Sequence, residues 1–188
     1  MRFFLQFLRN PTQIGAIAPS SQYLAREMVR RVDFDAVNSI VEYGPGFGSF
    51  SREILRRKKS DCDYFALELN EKIYTLLSEK MPELTLFQDS AANVGKYLSE
   101  RGRETTDVVF SGLPWAAFPE NLQDELLDAT LAALAPGGMF VTFAYLQGLL
   151  LPAGKRFKKK LDAHFSSGVT SSVVWRNLPP AVVYHYVK

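Results

Sequence analysis

At 188 residues with 47% hydrophobic side chains and a net charge of +2, the chain has the length of one domain and a full core, and no composition shift or internal repeat suggests a second domain. The single cysteine, Cys62, excludes an internal disulfide and is expected to be a small core residue in a reducing compartment. No stretch approaches the ~20 apolar residues of a membrane-spanning helix, and the apolar run over residues 3–8 is interrupted and too short for a signal peptide, so a cytoplasmic protein is expected.

The first ten residues are predicted to form an amphipathic helix, because apolar and polar side chains separate at ~100° per residue. One face carries Phe3, Phe4, Phe7 and Leu8 with Leu5 at its edge, and the other carries Arg2, Gln6, Arg9 and Asn10. Two interpretations remain open. The apolar face either packs onto the domain or lies in the interface of a bilayer, with its arginines at the headgroups.

Residues 12–21 are predicted to be a loop ending at a serine N-cap, followed by a helix over residues 22–32. The next segment, residues 39–43, is apolar and β-branched, which is typical of a buried parallel strand. The glycines that follow predict a tight turn into a helix that begins near Ser49 and ends in the basic run 56–59. Because glycine has no Cβ, such a turn brings backbone N–H groups against a ligand.

The spacing of these glycines separates two kinds of ligand. A dinucleotide fold places a third glycine at the sixth position of G-x-G-x-x-G, where this chain has Ser49. Instead, Glu42 precedes Gly44, Gly46 and Gly48 in an E-x-G-x-G-x-G pattern that resembles the first motif of S-adenosylmethionine (SAM) methyltransferases. A carboxylate near the turn suits the sulfonium cation of SAM better than it suits a pyrophosphate.

A second acid, Glu68, ends the predicted strand over residues 63–68 and lies 20 residues after Gly48. A doubly wound fold places an acid at this distance on the ribose hydroxyls. An exposed acid at a strand end is the alternative. With Glu42 and the three glycines, Glu68 makes a cofactor site the favoured interpretation.

The third predicted strand, residues 84–88, completes the cofactor site. It follows a helix that Asn70 is expected to cap and that runs to about Met81. The strand ends at Asp89, which is expected to accept a hydrogen bond from the adenine amino group. The other residues expected at the cofactor are Leu69, Ser90, Ala91 and Ser111.

A helix over residues 92–101 and a fourth strand over residues 107–110 lead to the predicted reaction site. Ligands of open α/β sheets bind at the carboxyl ends of the strands, beside the point where the strand order reverses. The first and fourth strands should flank that point. The predicted catalytic residues are therefore Ser111, Gly112, Leu113, Pro114 and Trp115.

The rest of the chain predicts helices over residues 119–134 and about 152–165, a turn at 136–138, and strands over 139–144, 169–175 and 181–187. A short link between the last two strands favours an antiparallel pair. The expected fold class is α/β: a class I methyltransferase, Rossmann-like, doubly wound sheet of seven strands with a C-terminal antiparallel hairpin. It is expected to form a single domain over residues 1–188.

The charges are uneven along the chain. Residues 1–31 carry five basic and one acidic side chain, and residues 154–188 carry seven and one, whereas residues 32–153 carry ten basic and eighteen acidic. An acidic middle suits a cationic cofactor, and two basic ends suggest an anionic partner such as lipid headgroups or nucleic acid. Ordinary solvated faces are the alternative.

Four motifs together resemble the bacterial phospholipid N-methyltransferases: GAIAPSS (15–21), VEYGPGFG (41–48), SGLPW (111–115) and WRNLPPAVVY (175–184). This resemblance covers nearly the whole chain. It implies a soluble enzyme that visits the membrane and uses SAM to methylate phosphatidylethanolamine toward phosphatidylcholine. Its implied location is the cytoplasm, peripherally on the inner face of the cell membrane, with anionic membrane lipids as partners.

More distantly, the chain is similar to ribosomal RNA adenine dimethyltransferases, which carry an Asn-Leu-Pro-Tyr-like motif after the fourth strand. Here Gly112 stands where the asparagine would align, so the side-chain amide that grips an adenine amine is missing. The RNA-binding helical domain of that family is not expected either. A nucleic acid partner is therefore not favoured.

The resemblance implies direct methyl transfer to a neutral lipid amine. Main-chain carbonyls of residues 111–113 are expected to aim the amine, and Trp115 is expected either to face the cationic head group or to serve as an apolar lid. No base is evident in the motifs, so Tyr145 or water is the candidate. The lipid phosphate needs a cation, for which Lys155 on the basic helix and Arg176 in the last motif are the candidates.

The basic helix carries Lys155, Arg156, Lys158, Lys159 and Lys160, which are either lipid contacts or a solvated face. No metal is expected, because neither histidine has cysteine or carboxylate neighbours at ligand spacing.

Three functions remain open: a lipid N-methyltransferase, a methyltransferase that acts on RNA or on some other small molecule than a lipid, and a SAM-binding or membrane-associated module without catalysis. The sequence leaves the acceptor among phosphatidylethanolamine, a monomethylated intermediate and an aminolipid such as ornithine lipid.

Overall fold

The computed structural model describes residues 19–188, so the predicted helix over residues 1–10 and most of the loop over residues 12–21 lie outside the described residues. The end of that loop is as predicted, because the Ser21 hydroxyl accepts a hydrogen bond from the Leu24 N–H at 3.2 Å and caps the helix that follows. No helix within residues 19–188 is long and apolar enough to cross a bilayer.

The described strands are β1 (Ser39–Tyr43), β2 (Asp63–Leu67), β3 (Thr85–Phe87), β4 (Thr106–Ser111), β5 (Leu134–Tyr145), β6 (Ser167–Thr170) and β7 (Ala181–Val187). They form one sheet in the order β3-β2-β1-β4-β5-β7-β6. Strands β1 to β5 are parallel, and β7 runs antiparallel to β5 and β6. The predicted fold is confirmed, with the strand order reversing between β1 and β4.

The described α-helices are α1 (Gln22–Val29), α2 (Ser49–Arg57), α3 (Glu71–Lys80), α4 (Val94–Glu100), α5 (Glu120–Ala133), α6 (Leu146–Leu150) and α7 (Pro152–His164). The predicted cap of α3 is confirmed, since the Asn70 side chain accepts a hydrogen bond from the Ile73 N–H at 3.1 Å. Helix α1 ends three residues earlier than predicted. The N–H groups of Arg30 and Val32 each bond the carbonyl three residues back, which tightens the chain into a turn.

The core has two layers, one on each face of the sheet, because successive side chains of a strand point to opposite faces. On β1, Val41 and Tyr43 pack into one apolar cluster with residues of α4, α5 and α7. Ile40 packs into the other, with residues of α1, α2 and α3. This division leaves the carboxyl ends of the parallel strands free to hold a site.

Three predicted elements needed correction. The predicted strand over residues 169–175 is wrong beyond Thr170, because only Val174 returns to the sheet, as an isolated bridge to Ala181. Strand β5 begins at Leu134 rather than at Met139, and residues 135–138 interrupt its pairing with β4. Helix α6 was not predicted, since its five residues are too few to show a helical period.

Candidate active site

Two backbone turns meet at the switch point of the sheet. The first follows β1 and contains the three glycines, and the second follows β4. The Gly112 N–H donates a hydrogen bond to the carbonyl of Tyr43 at 2.8 Å, and the Gly44 N–H donates to the carbonyl of Leu67 at 2.8 Å. The end of β1 is therefore tied to both of its neighbouring strands.

The contact between the two turns requires glycine at position 112. A Cβ built on Gly112 would lie 2.4 Å from the carbonyl oxygen of Gly44, closer than side chains approach backbone atoms. An asparagine, as in the distantly similar RNA enzymes, would force the turns apart. Gly112 thus acts in this site through its lack of a side chain.

The glycines of the first turn adopt conformations that other residues rarely take. Gly44, Gly46 and Gly48 have φ angles of 61°, 56° and 79°. A Cβ on Gly48 would also lie 2.5 Å from the sulfur of Met81. The turn therefore needs these glycines, and it brings the start of α2 close to α3.

Glu68 closes the first turn from the side of β2. Its side chain is buried, and its carboxylate accepts hydrogen bonds from the N–H groups of Asn70 at 2.9 Å and Gly46 at 3.4 Å. Burial raises the pKa of Glu68, and these backbone N–H groups partly offset the rise. Each carboxylate oxygen keeps a further lone pair for a ligand donor, such as a ribose hydroxyl.

A shallow cleft opens beside this carboxylate. Its lining residues are Gly44, Leu67, Glu68, Leu69, Asp89, Ser90, Ala91, Leu113 and Leu126. The structure thus brings together six residues predicted for the cofactor and one predicted for the reaction. Sequence reasoning missed Leu67, which directly precedes the predicted acid, and Leu126, whose place on the buried face of α5 carries no local signal.

Asp89 lies at the far end of the cleft from the glycine turn. Its carboxylate accepts hydrogen bonds from the Ser90 N–H at 2.7 Å, the Asn93 side-chain amide at 2.8 Å and the Tyr97 hydroxyl at 2.9 Å. Partial burial raises the pKa of Asp89, but these donors outweigh burial and hold the pKa below its ordinary value. Asp89 is a fixed, charged acceptor at the edge of the cleft.

The expectation that Glu42 faces the ligand needs correction. Its side chain is fully buried on the opposite face of the sheet from Tyr43, and its Oε2 accepts hydrogen bonds from the hydroxyls of Tyr64 and, at 2.7 Å, Ser51. Oε1 has no partner among the described residues. Burial raises the pKa of Glu42 to about 7, although both hydroxyls lower it. Glu42 therefore joins β1, β2 and α2 beneath the glycine turn and does not line the cleft.

Of the two roles expected for Trp115, the one in which it faces the head group is also corrected. The indole is 2% exposed, lies parallel to the ring of Phe157 at 5.0 Å between centroids, and donates from Nε1 to the Ser111 hydroxyl at 2.9 Å. A ring buried in this way offers no face to a head group. Trp115 instead holds the turn after β4 against α7, with Pro114 directly before it.

Of the three carbonyls expected to aim an amine, one is uncommitted. The Ser111 carbonyl accepts a hydrogen bond from the Thr142 hydroxyl at 3.1 Å, and the Leu113 carbonyl accepts one from the Trp115 N–H at 3.0 Å. The Gly112 carbonyl accepts none from residues 19–188. This carbonyl belongs to the residue that contacts Gly44, in the turn directly after β4.

Tyr145 ends β5 at the same edge of the sheet. It is half-buried, and its ring meets Phe143 edge to face at 5.4 Å. Burial raises the pKa of Tyr145, so the phenol stays protonated near neutral pH and is a poor candidate for the base. Water is the remaining candidate.

The basic helix α7 is largely tied to the protein. Arg156, Lys158 and Lys160 pair with Glu120, Asp162 and Asp124. Lys155 and Lys159 are exposed and have no acidic partner among the described residues. Arg176 lies over the ring of Tyr23, at 4.9 Å from its centroid, and donates to the Tyr23 hydroxyl at 2.9 Å. Lys155 and Arg176 are thus free to meet an anion.

Comparison with known proteins found a relative along nearly the whole chain. No protein-family model matches the chain. The ornithine lipid N-methyltransferase of Singulisphaera acidiphila is 32% identical to this chain. The alignment covers 97% of this chain and 94% of that protein.

Solved structures share the fold at lower identity. The O-methyltransferase from Bacillus cereus in complex with SAH has a TM-score of 0.69 and 14% identity, over 100% of this chain and 90% of that one. The O-methyltransferase TomG from Streptomyces achromogenes in complex with SAM has a TM-score of 0.65 and 16% identity, over 97% and 87%. TrmN from Thermus thermophilus has a TM-score of 0.62 and 20% identity over 88% of this chain, which spans only 48% of that protein.

Proposed function

The chain belongs to the family of SAM-dependent methyltransferases that contains the ornithine lipid N-methyltransferase of Singulisphaera acidiphila, and from that premise we propose that it transfers a methyl group from SAM to the amine of an aminolipid. The observation that carries the proposal is the contact between Gly112 and Gly44. It sets an uncommitted backbone carbonyl directly beside the turn that borders the cleft.

The residues of the cleft fit SAM. Glu68 offers a carboxylate to the two ribose hydroxyls, and Asp89 offers one to the adenine amino group. Leu69, Leu113 and Leu126 supply apolar surface for the adenine ring. The glycines at one end leave room for the backbone to approach the ligand, since nothing lies within 4 Å of a Cβ built on Gly46.

The residues of this chain mainly position the reactants for methyl transfer. Bound SAM supplies a methyl group that is already activated by its sulfonium. The Gly112 carbonyl accepts a hydrogen bond from the neutral amine and aims its lone pair, while Leu113 helps to exclude water from the cleft. In the transfer the N–C bond forms, the S–C bond breaks, and the amine proton leaves to water.

Ornithine lipid is the first candidate acceptor, and phosphatidylethanolamine is the second. The relative that is 32% identical carries the former name, whereas the motifs of the sequence resemble the enzymes of the latter. Both head groups hold an anion near the amine, a carboxylate in one and a phosphate in the other. Lys155 and Arg176 are the proposed contacts for that anion. Tyr145 is proposed to line the acceptor site and to form a hydrogen bond there.

This function places the protein peripherally on the inner face of the cell membrane, where anionic lipids attract basic side chains. The likeness to TrmN is a likeness of fold, and Gly112 offers no side-chain amide to an adenine amine. RNA methylation is therefore not part of the proposal.

Incubation with labelled SAM separates the acceptors. The purified protein is mixed with vesicles containing ornithine lipid, with vesicles containing phosphatidylethanolamine, or with ribosomal RNA, and the products are separated and counted. Label in ornithine lipid, alone or with phosphatidylethanolamine, is the expected result. Label only in RNA, or in no fraction despite tight SAM binding, would overturn the lipid assignment. Mass spectrometry of the lipid product counts the methyl groups added.

A further inference from the structure

The loop between β6 and β7 holds two large apolar side chains in water. Trp175 is 70% exposed and Leu178 is 82% exposed. Asn177, between them, is buried: its side chain accepts a hydrogen bond from the Ser21 N–H at 2.9 Å and donates to the Pro179 carbonyl at 2.7 Å. The loop is thus fastened from within, while its apolar side chains point outward.

A second exposed apolar pair lies beside this loop. Leu150, at the end of α6, is 77% exposed, and Leu151 is exposed as well. The Leu146 N–H, at the start of α6, donates to the Pro180 carbonyl at 2.8 Å. Leu150 lies four helical residues from this bond, ~6 Å along the axis, and Leu178 lies two residues from it. We call Leu150, Leu151, Trp175 and Leu178 the apolar rim.

The apolar rim lies at the edge of the sheet that carries the candidate active site. Tyr145 pairs with Ala181, so the loop before β7 ends, and the helix after β5 begins, at the carboxyl end of β5. Strands β1, β4 and β5 are parallel, and their carboxyl ends share one edge. The glycine turn, the Gly112 turn and the apolar rim therefore lie at the same edge of the sheet, where the parallel strands end.

Unpaired cations accompany the apolar rim. Arg176 lies within the loop, and Lys155 follows Leu151 on the first turn of α7. Neither has an acidic partner within residues 19–188. On α7 Lys159 is also unpaired, whereas Arg156, Lys158 and Lys160 are paired. Exposed Trp and Leu side chains next to free Arg and Lys are the composition that settles into the headgroup region of an anionic bilayer.

We propose that the apolar rim, with Arg176 and Lys155, is the surface by which this protein docks on an anionic lipid bilayer. In this arrangement Trp175 and the three leucines enter the acyl boundary, and the two cations meet the headgroups. Docking brings the mouth of the active site to the membrane plane. The inference deepens the proposed function, on which it rests for the claim that the acceptor lies in a bilayer.

The two tryptophans of the sequence make a direct test. Trp115 is already buried, so only Trp175 can change its surroundings on docking. Vesicles of phosphatidylglycerol and phosphatidylcholine in equal parts should shift the fluorescence emission of the full-length protein to shorter wavelength. The shift should vanish in Trp175→Phe and should be absent with phosphatidylcholine alone. Vesicle binding without any shift would mean that another surface docks, and would overturn the proposal.

Variants give the second readout. Trp175→Ser and Leu178→Ser should each lower the vesicle partition coefficient on the order of tenfold, whereas Leu76→Ser, an exposed leucine on α3, should leave it unchanged. Equal losses in all three variants, or concentration-dependent dimers that bury Trp175 without vesicles, would contradict the proposal.

A monomeric short-chain aminolipid separates this inference from the proposed function. Its methylation should be the same in wild type and in Leu178→Ser, while methylation of the same head group in vesicles should fall with partition. If no lipid is methylated but vesicles still shift the Trp175 emission, the proposed function is wrong and the docking surface is supported. Methylation in vesicles at the wild-type rate by both serine variants would remove the docking surface and keep the function.

Discussion

The side-chain oxygen of Asn177 accepts a hydrogen bond from the backbone N–H of Ser21 at 2.9 Å, joining residues that are 156 positions apart. Ser21 ends the first of the four motifs, and Asn177 stands in the last. Next to this bond, Arg176 donates to Tyr23, so the loop before β7 is fastened to the start of α1 at two points. The loop before β7 and the start of α1 are thereby held together.

Replacing Asn177 with Ala should destabilise the protein by ~1–3 kcal/mol. The variant leaves the Ser21 N–H and the Pro179 carbonyl without their buried partner. Chemical denaturation measures the loss, and Ser172→Ala, in an exposed part of the same loop, is the control. An Asn177→Ala variant as stable as wild type would show that water replaces both bonds.

Gly112→Ala should abolish methyl transfer while Gly95→Ala does not. A Cβ at position 112 meets the Gly44 carbonyl at 2.4 Å, whereas a Cβ at position 95 meets nothing within 4 Å. Position 95 is in α4, where alanine should even stabilise the helix by ~0.5–1 kcal/mol. Titration calorimetry with SAM and a methylation assay measure both variants. Full activity in Gly112→Ala would mean that the two turns need not touch.

Glu68→Gln should weaken SAM binding about tenfold. The amide offers one acceptor oxygen in place of the two of a carboxylate, and hydrogen bonds to a charged acceptor are worth roughly 1.5–3 kcal/mol. Glu71→Gln, on the exposed first turn of α3, should bind SAM as wild type does. Calorimetry at constant pH makes the comparison. Undiminished affinity in Glu68→Gln would place the ribose elsewhere.

Glu42→Gln should flatten the pH dependence of stability. The pKa of Glu42 rises from 4.5 to about 7 in the folded protein, so the folded state keeps a proton that the unfolded chain releases. The free energy of unfolding should therefore fall as the pH rises from about 4.5 to about 7, and level off above that range. The whole fall attributable to Glu42 is on the order of 3 kcal/mol.

Denaturation of wild type and Glu42→Gln at several pH values between 4.5 and 8 measures this slope. Glu79→Gln, on the exposed side of α3, is the control and should keep the wild-type slope. The same slope in Glu42→Gln and wild type would mean that another buried group is responsible.

Much of the cofactor site follows from local sequence. The strand before the glycines and the cap at Asn70 depend on neighbours within a few residues, and Glu68 follows from its fixed spacing of 20 residues after Gly48. The structure has each of them where the pattern predicts. The carboxyl ends of parallel strands lie at one edge of the sheet, so residues that directly follow these strands can be predicted to line the cleft. These residues are Leu69, Asp89, Ser90 and Ala91. The location of these residues is therefore readable without coordinates.

The directions and partners of side chains are not readable in this way. Glu42 has the right spacing for a cofactor acid, yet it turns to Tyr64 and Ser51, which come from β2 and α2. Trp115 follows the reaction turn, yet Phe157, 42 residues later, covers its ring. Such pairings arise only when β2 pairs with β1 and when α2 and α7 pack against the sheet.

By itself, the sequence determined the order of elements, the glycine turn and the acids at the strand ends, because turn geometry and strand periodicity are local properties of the chain. Tertiary structure alone decided why position 112 is glycine, which carbonyl is uncommitted, and where the exposed apolar side chains gather. These depend on distances between residues far apart in the chain, which are fixed only once the sheet has assembled.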